Sequence, residues 1–388
     1  MRFDAIVIGS GPAGATAARL LAQAGWSVAL IEKTEFPRRK VCGEFISAAT
    51  LPVLEACGVA NDFLAMSGPP VKRVATWAGD TMAEAPLPRA LGWGRALGRE
   101  HLDTLLRDAA VAAGAHLFQP AEVTALKRTA NGHIITVTRN CDVETFTARI
   151  VIAACGSWNA KGPFAIDAAP QPADLFAFKA HFRGAKLPPG LMPLLAFPGG
   201  YGGMVHSDEG RVSLSCCIRR DALAQAREIH GGKAAEAVLA HIREHIRGTR
   251  GALDGAQPDG ALLSTGPIRP GVRRRYKDGI FFTGNGAGEA HPIIAEGISM
   301  AIQSSWLLAQ HLVAAGPAAA ERYARDWRAQ FGVRIAAASL FAHCAMHDRS
   351  RTAAARLISA FPAILTWGAA LSGKAAPVMT RGARHDAA

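Results

Sequence analysis

The chain has no Cys-x-x-Cys pair. Its cysteines are Cys42, Cys57, Cys141, Cys155, Cys216, Cys217 and Cys344, an odd count of seven. That pattern indicates neither a disulfide scaffold nor a zinc site, and a reduced cytosol fits it best. No P-loop, HExxH or GxSxG segment is present, and no other metal-ligand spacing. Long apolar runs are also missing. The longest uncharged stretch with a membrane character, Leu357 to Gly373, has 17 residues and contains Pro362, against about 20 apolar residues for a helical span. The N-terminus does not read as a signal peptide, because Asp4 interrupts it and its apolar run stops at Gly9. Internal repeats, low-complexity tracts, RNP-type aromatic motifs and Arg/Gly tracts are absent, which argues against RNA as a partner.

What is present points to a packed molecule. The hydrophobic fraction is 49% and the charged fraction 19%, the reverse of a disordered composition. The 40 glycines are clustered without a three-residue period, so a collagen-like chain is excluded. The net charge of +12 favours anionic partners such as phosphates or acidic lipid surfaces and says nothing about fold. At about 100–200 residues per domain, 388 residues suggest two domains, or two plus an appendage.

Ala5 to Ile8 is a short apolar run, the pattern of a buried parallel strand. A glycine-rich turn follows, then a predicted helix from Ala15 to Ala24 and a second buried strand from Val28 to Ile31 that ends at Glu32. This is a complete β-α-β unit. A further helix is predicted from Arg99 to Ala113. A meander follows, with a hairpin at Asn131-Gly132. Alternation at Phe176, Phe178, Ala180 and Phe182, and again at Val212, Leu214, Cys216 and Ile218, marks a separate sheet around one polar helix near Leu223–Ile246. Gly279 to Thr283 returns to the buried-strand pattern, an amphipathic helix follows it, and Ala/Arg-rich helices fill the chain from 316.

Gly9-Ser10-Gly11-Pro12-Ala13-Gly14 matches GxGxxG. The first glycine makes the turn, the second lets the backbone approach a pyrophosphate, and the third lets helix pack on strand. The helix N-terminus then faces the phosphate charge. Glu32 stands at the end of the second strand, where a carboxylate accepts hydrogen bonds from both ribose hydroxyls. The plain alternative is a glycine-rich turn in an ordinary α/β fold; the strand before, the helix after and the acid in place favour dinucleotide binding. The motif does not separate FAD from NAD.

Further motifs lie in order along the chain: Lys40-Val41-Cys42-Gly43-Glu44 after Arg38-Arg39, Gly98-Arg99, then Thr283-Gly284-Asn285-Gly286-Ala287-Gly288, Pro292, and Glu296-Gly297-Ile298. Together they resemble the FAD-dependent oxidoreductases of the p-hydroxybenzoate-hydroxylase fold, most closely the geranylgeranyl-reductase-like branch, over residues 1 to about 313. The resemblance implies an α/β fold with a Rossmann-like (GR2-type) FAD-binding domain, an inserted β-sheet substrate domain and a C-terminal helical segment. On that division the FAD-binding parts are 1–75, 96–165 and 276–315. An excursion at 76–95 and the sheet at 166–275 form the substrate domain, and 316–388 the C-terminal helices. It also implies site roles. Gly9, Ser10, Gly11, Pro12, Ala13 and Gly14 cradle the pyrophosphate; Glu32 and Lys33 flank the adenosine ribose; Arg99 reaches ribose or pyrophosphate; Val123 lies beside the adenine. Gly284 and Asn285 contact ribitol and phosphate. Gly297 and Ile298 offer amides to the flavin's pyrimidine end, where a helix N-terminus stabilises an anionic reduced cofactor.

This chain departs from the branch at three places. Asn285 stands where an Asp is usual, so Asn285→Asp is expected to lower the flavin potential if the new carboxylate ionises. The hydroxylase Asp-Gly pair is replaced within Cys155-Gly156-Ser157-Trp158. The reductase aromatic segment keeps Tyr201 but has Gly203 in place of a Trp. No halogenase-type W-x-W-x-I-P segment occurs.

Cys42, amid basic residues that favour a thiolate, reads either as a flavin-side catalytic thiol or as a small filler. His291 reads either as an acid for proton transfer or as a pocket wall. Glu289 reads as a solvated or capping carboxylate. Residues 316–388 hold ten Lys/Arg against four Asp/Glu. They read as solvated helix faces or, with Arg349, Arg351 and Arg356 ahead of Leu357, Ile358 and Phe361, as a peripheral membrane contact. The function implied is NAD(P)H-dependent reduction of FAD and hydride delivery to a C=C bond of a hydrophobic isoprenoid or polyketide-like substrate. An aromatic monooxygenase and a non-catalytic flavoprotein are the alternatives. No second GxGxxG unit exists, so NAD(P)H is expected to dock only transiently.

Overall fold

The computed structural model describes residues 1–89, 92–157, 163–164, 169–374 and 377–378; Trp158 lies outside them. Its first sheet has eight strands. Val28–Ile31, Arg2–Ile8, Asp142–Ala153 and Ile280–Phe282 are neighbours in parallel. Their register brings Ile8 level with Ile31 and Ala153, and Ala153 level with Phe282. All four carboxyl ends therefore open onto one edge, where ligands bind in open α/β sheets. The strands read as continuous apolar runs because helices cover them. The Pro12–Gln23 and Gly297–Ala315 helices are among those that do so, with Ala17, Leu21, Leu308 and Leu312 sharing one core with Val7 and Ile152.

The first helix begins three residues before the predicted start, with Pro12 at its first position, where its missing N–H is no loss. The meander runs Glu122–Thr129, Gly132–Arg139 and Asp142–Ala153. Thr129 pairs with Gly132, so the turn is Ala130-Asn131, one residue before the expected pair. Gly132 (φ 137°) is a strand residue. A Cβ there would lie 2.2 Å from the Ala148 carbonyl oxygen, so the glycine serves a close strand approach.

The second sheet combines Arg73–Ala78 and Thr81–Pro86 with strands between Leu175 and Ile268. It is antiparallel except where Leu191–Phe197 pairs with Arg73–Ala78. One face packs Phe178, Phe182 and Leu195 against Val238, Ile242 and Ile246. The single polar helix expected there is two, Arg220–His230 and Ala234–His245. Gly231 and Gly232 between them both have positive φ, 66° and 70°, which ends the first helix. The opposite face looks towards the first sheet's open edge. The C-terminal helices Ala320–Met346, Asp348–Ala360 and Ala363–Ala369 close the molecule, with Trp327, Phe331 and Ile335 in the main core.

Candidate flavin and substrate site

A cavity of about 650 Å³ lies between the carboxyl edge of the first sheet and the inner face of the second. Gly9, Gly11, Pro12, Ala13, Glu32, Lys33, Cys42, Arg99, Val123, Gly284, Asn285, Gly297 and Ile298 all line it. Residues scattered over 290 positions thus meet at one edge, most of them because they follow a strand end or open a helix there.

The glycines divide the labour. Gly9 has φ 100°, and a Cβ on Gly14 would lie 1.8 Å from the Gly9 carbonyl oxygen, so both shape the turn. A Cβ on Gly11 would meet nothing closer than Arg99 Nη2 at 3.5 Å, and one on Gly297 nothing within 4 Å. Their open sides are where a ligand fits. No side chain caps either helix here, so the first-turn amides are left for an anion. Ser10 differs from its expected role: its amide donates to Glu32 Oε2 at 2.9 Å, while its buried hydroxyl has no hydrogen-bond partner among the described residues.

Glu32 is held on every side. Thr34 donates to Oε1 from its amide (3.0 Å) and hydroxyl (2.6 Å), and Arg38 Nη2 lies 3.3 Å from Oε2. Burial pushes the carboxyl up, but Arg38 and these hydrogen bonds outweigh it and hold the group below its ordinary range. Arg99 donates bidentately to Asp103 at 2.6 and 2.8 Å and lies beside the Cys42 thiol. Lys40 opens onto the cavity. The surrounding protein and the Arg99 and Arg38 charges together lower its ammonium to about 8. Cys42 Sγ accepts the Glu44 amide at 3.4 Å.

FAD fits this donor set. Arg38, Arg99, Lys40 and the bare amides of the first helix would offer positive charge to its diphosphate, and the fixed Glu32 carboxylate would be available to its ribose. Val123 lines the same cavity and sits at a register shift in its strand.

Asn285 Nδ2 donates to Ser157 Oγ (2.7 Å) and Glu289 Oε1 (3.0 Å). Glu289 is not solvated: it is 5% exposed, accepts Ser157 Oγ at 2.6 Å and pairs with Arg273 at 3.0 Å. Burial pushes its carboxyl up against those partners. This revises the expectation for Asn285→Asp. A second carboxylate at that distance shares one proton with the first, so the single variant should keep a midpoint near wild type in a redox titration. A second full negative charge about 8 Å away at a dielectric of about 20 would be worth about 2 kcal/mol, a drop of some tens of millivolts, and such a drop in the single variant would exclude the shared proton.

His291 does not line the cavity. It stands behind Tyr201, whose ring does, and its Nδ1 lies 3.0 Å from the Tyr201 hydroxyl. Burial lowers the imidazole to about 4 and raises the phenol. Both are therefore neutral at ordinary pH.

Glu44, quoted above only within a motif, is fully buried with a φ of 62°. It ion-pairs with Lys179 and takes His181 Nε2 at 2.9 Å, both from the second sheet. Those two side chains alternate with Phe178, Ala180 and Phe182, on the strand face that reads as polar. The one sequence signal is a Lys and a His at i and i+2 inside an otherwise apolar strand.

The strand-edge ligand cradle and the paired sheets are those of the FAD-dependent oxidoreductases. A family described as FAD binding domain matches residues 2–337, and the chain belongs to it. It is 28% identical to a menaquinone reductase of Mycobacterium tuberculosis over 153 residues, 39% of this chain and only 37% of that protein. It is also 28% identical to digeranylgeranylglycerophospholipid reductase 2 of Methanopyrus kandleri over 360 residues, 86% and 84% of the two chains. Among solved structures, a myxobacterial chondrochloren halogenase superposes with a TM-score of 0.78 at 19% identity, over 95% of this chain and 90% of that one. That likeness is one of fold.

Proposed function

We propose that the chain uses NAD(P)H to reduce a C=C bond of a hydrophobic, isoprenoid-like substrate. The observation that carries this reading is the apolar wall facing the flavin cradle: Met192, Leu194, Val205, Leu263 and Ile268. The two relatives named above, as reductases of menaquinone and of a digeranylgeranylglycerophospholipid, support it. FAD, when bound, supplies the hydride chemistry. In the net reaction one alkene carbon gains a hydride, the other a proton, and NAD(P)H is oxidised to NAD(P)⁺.

This chain's own groups bind, orient and supply the proton. The apolar wall excludes water from the alkene. In this reading His291 carries its ring proton on Nδ1 and donates it to the Tyr201 oxygen, so the phenol proton, held by a burial that opposes ionisation, stays available to the alkene. Neutral down to about pH 4, the imidazole keeps this role across the physiological range. Cys42 lines the cavity within the Lys40–Glu44 segment, with no base hydrogen-bonded to it among the described residues, which favours a packing role over nucleophilic catalysis.

No single helix among the described residues is long and apolar enough to cross a membrane. The last helices present Phe361 and Trp367, 62% and 68% exposed, on a segment that also exposes Arg349 and Arg356. We read this as a surface contact through which a lipid substrate is collected.

Anaerobic mixing tests the proposal. NADH or NADPH should bleach the flavin, and a polyprenyl alkene should restore its colour without oxygen. Tyr201→Phe should slow the alkene-dependent step by about 10²–10⁴. Phe361→Glu with Trp367→Glu should weaken turnover of substrate in anionic vesicles but not in detergent. Recolouring that needs oxygen and ignores the alkene would point instead to a monooxygenase. No response to either nicotinamide would point to a non-catalytic flavoprotein.

A further inference from the structure

Far from the flavin, on the outer face of the second sheet, three side chains converge that the proposed chemistry does not use. His230 ends the first helix of the Arg220–His230/Ala234–His245 hairpin, and His241 and Glu244 lie on the second. Their ligand atoms all lie within 4.8 Å of one another. We propose that His230, His241 and Glu244 bind a divalent cation of borderline hardness, with zinc as the first occupant, which pins this hairpin to the sheet.

The hydrogen bonds set the tautomers. His241 Nε2 lies 3.0 Å from the Pro198 carbonyl oxygen. A carbonyl only accepts, so Nε2 carries the proton and Nδ1 carries the lone pair. That Nδ1 is buried with no hydrogen-bond partner among the described residues, in a side chain only 6% exposed. An unpaired buried acceptor is costly unless something occupies it. The arrangement is also that of a metal-ligating imidazole, whose second nitrogen is fixed by a backbone carbonyl.

His230 Nε2 is likewise buried without a hydrogen bond, yet lies 3.3 Å from Glu244 Oε2. Two ligands at about 2.0–2.1 Å from a tetrahedral ion stand about 3.3 Å apart, so this contact matches one edge of such a shell. Two imidazoles and one carboxylate are donors suited to zinc and its neighbours rather than to calcium or magnesium. Glu244 is 57% exposed on its side chain, which leaves an entry path and room for water as a fourth ligand. His245 packs its ring 4.4 Å from that of His241 and is held by the His241 carbonyl at 2.9 Å, which steadies the site. Pro198 lies in the turn joining two strands of the sheet, so the cation would link turn and hairpin through His241.

A second cluster, His101 with Asp208 and Glu209, lacks this character: the Asp208 carboxylate is already taken by the Gly98 amide, the Ser207 hydroxyl and Arg211.

The test uses tag-free, FAD-loaded protein stripped of metal. Equilibrium dialysis against low-micromolar Zn²⁺ should load one ion per chain, and zinc should raise the melting temperature. Co²⁺ should give tetrahedral visible bands at wavelengths beyond the flavin absorption, displaced by Zn²⁺. His230→Gln and Glu244→Gln are at the open side of the site and should fold and keep FAD. Each should lose the bound ion, the cobalt bands and the zinc-dependent rise in melting temperature. Glu209→Gln should retain all three. A wild-type chain that binds no zinc at low-micromolar concentration, or zinc that persists in both variants, would overturn the proposal.

Discussion

Gly11→Val should yield a folded, colourless protein. A Cβ at position 11 meets no backbone of the chain, only the Arg99 guanidinium at 3.5 Å, so the fold accepts the side chain while the diphosphate space does not. Far-UV circular dichroism and the melting temperature should match FAD-free wild type, and released flavin should be absent. Gly14→Ala is the contrasting case. Its Cβ would stand 1.8 Å from the Gly9 carbonyl oxygen, so the helix cannot pack on its strand and the variant should fail to fold. A yellow Gly11→Val protein that releases FAD in stoichiometric amount would remove the cradle assigned here.

Glu44→Ala should destabilise the protein by about 3–5 kcal/mol, because it leaves the buried Lys179 ammonium without its partner. The same group makes stability depend on acid. Burial pushes the Glu44 carboxyl up, yet the His181 hydrogen bond and the Lys179 charge outweigh it and hold the group at about 2, below its ordinary 4.5. The folded protein therefore binds the proton less readily than the unfolded chain. The stabilisation is whole above about pH 4.5 and is lost as pH falls towards 2. Urea unfolding across that window should show wild type losing a component of stability that Glu44→Gln lacks from the start. Parallel pH profiles of the two proteins would show that the cluster carries no such linkage. Glu44 belongs to the segment that also brings Lys40 and Cys42 to the cavity, so loosening it should also weaken FAD retention.

The cofactor was legible because its recognition is local. The Gly9–Gly14 turn and Glu32 lie within one β-α-β unit, and the turn, the helix start and the strand end are set by residues a few positions apart. Arg99, Val123, Gly284 and Gly297 were legible only as implied by a family resemblance, and the cavity collects them. The errors were also local. The predicted single helix over Leu223–Ile246 overlooked the two glycines at 231 and 232. The hairpin was placed one residue late because Gly132 served a close strand approach rather than a turn.

What each carboxylate faces was not legible. Glu44 meets Lys179 across 135 residues, and Glu289 meets Ser157 across 132. Such pairings depend on strand register and on how two sheets close over a cavity, which no periodicity encodes. The same holds for His230, which reaches His241 only through the packing of a hairpin. The sequence by itself determined the β-α-β unit, the glycine turn and the acid at the second strand's end, and hence the dinucleotide class of ligand, because backbone geometry over some thirty residues is a local property. Only the tertiary structure decided that His291 stands behind Tyr201, that Glu289 is buried against Asn285, and that an apolar wall faces the cradle. Burial and partner are properties of what packs against a residue, and here those partners come from distant segments of the chain.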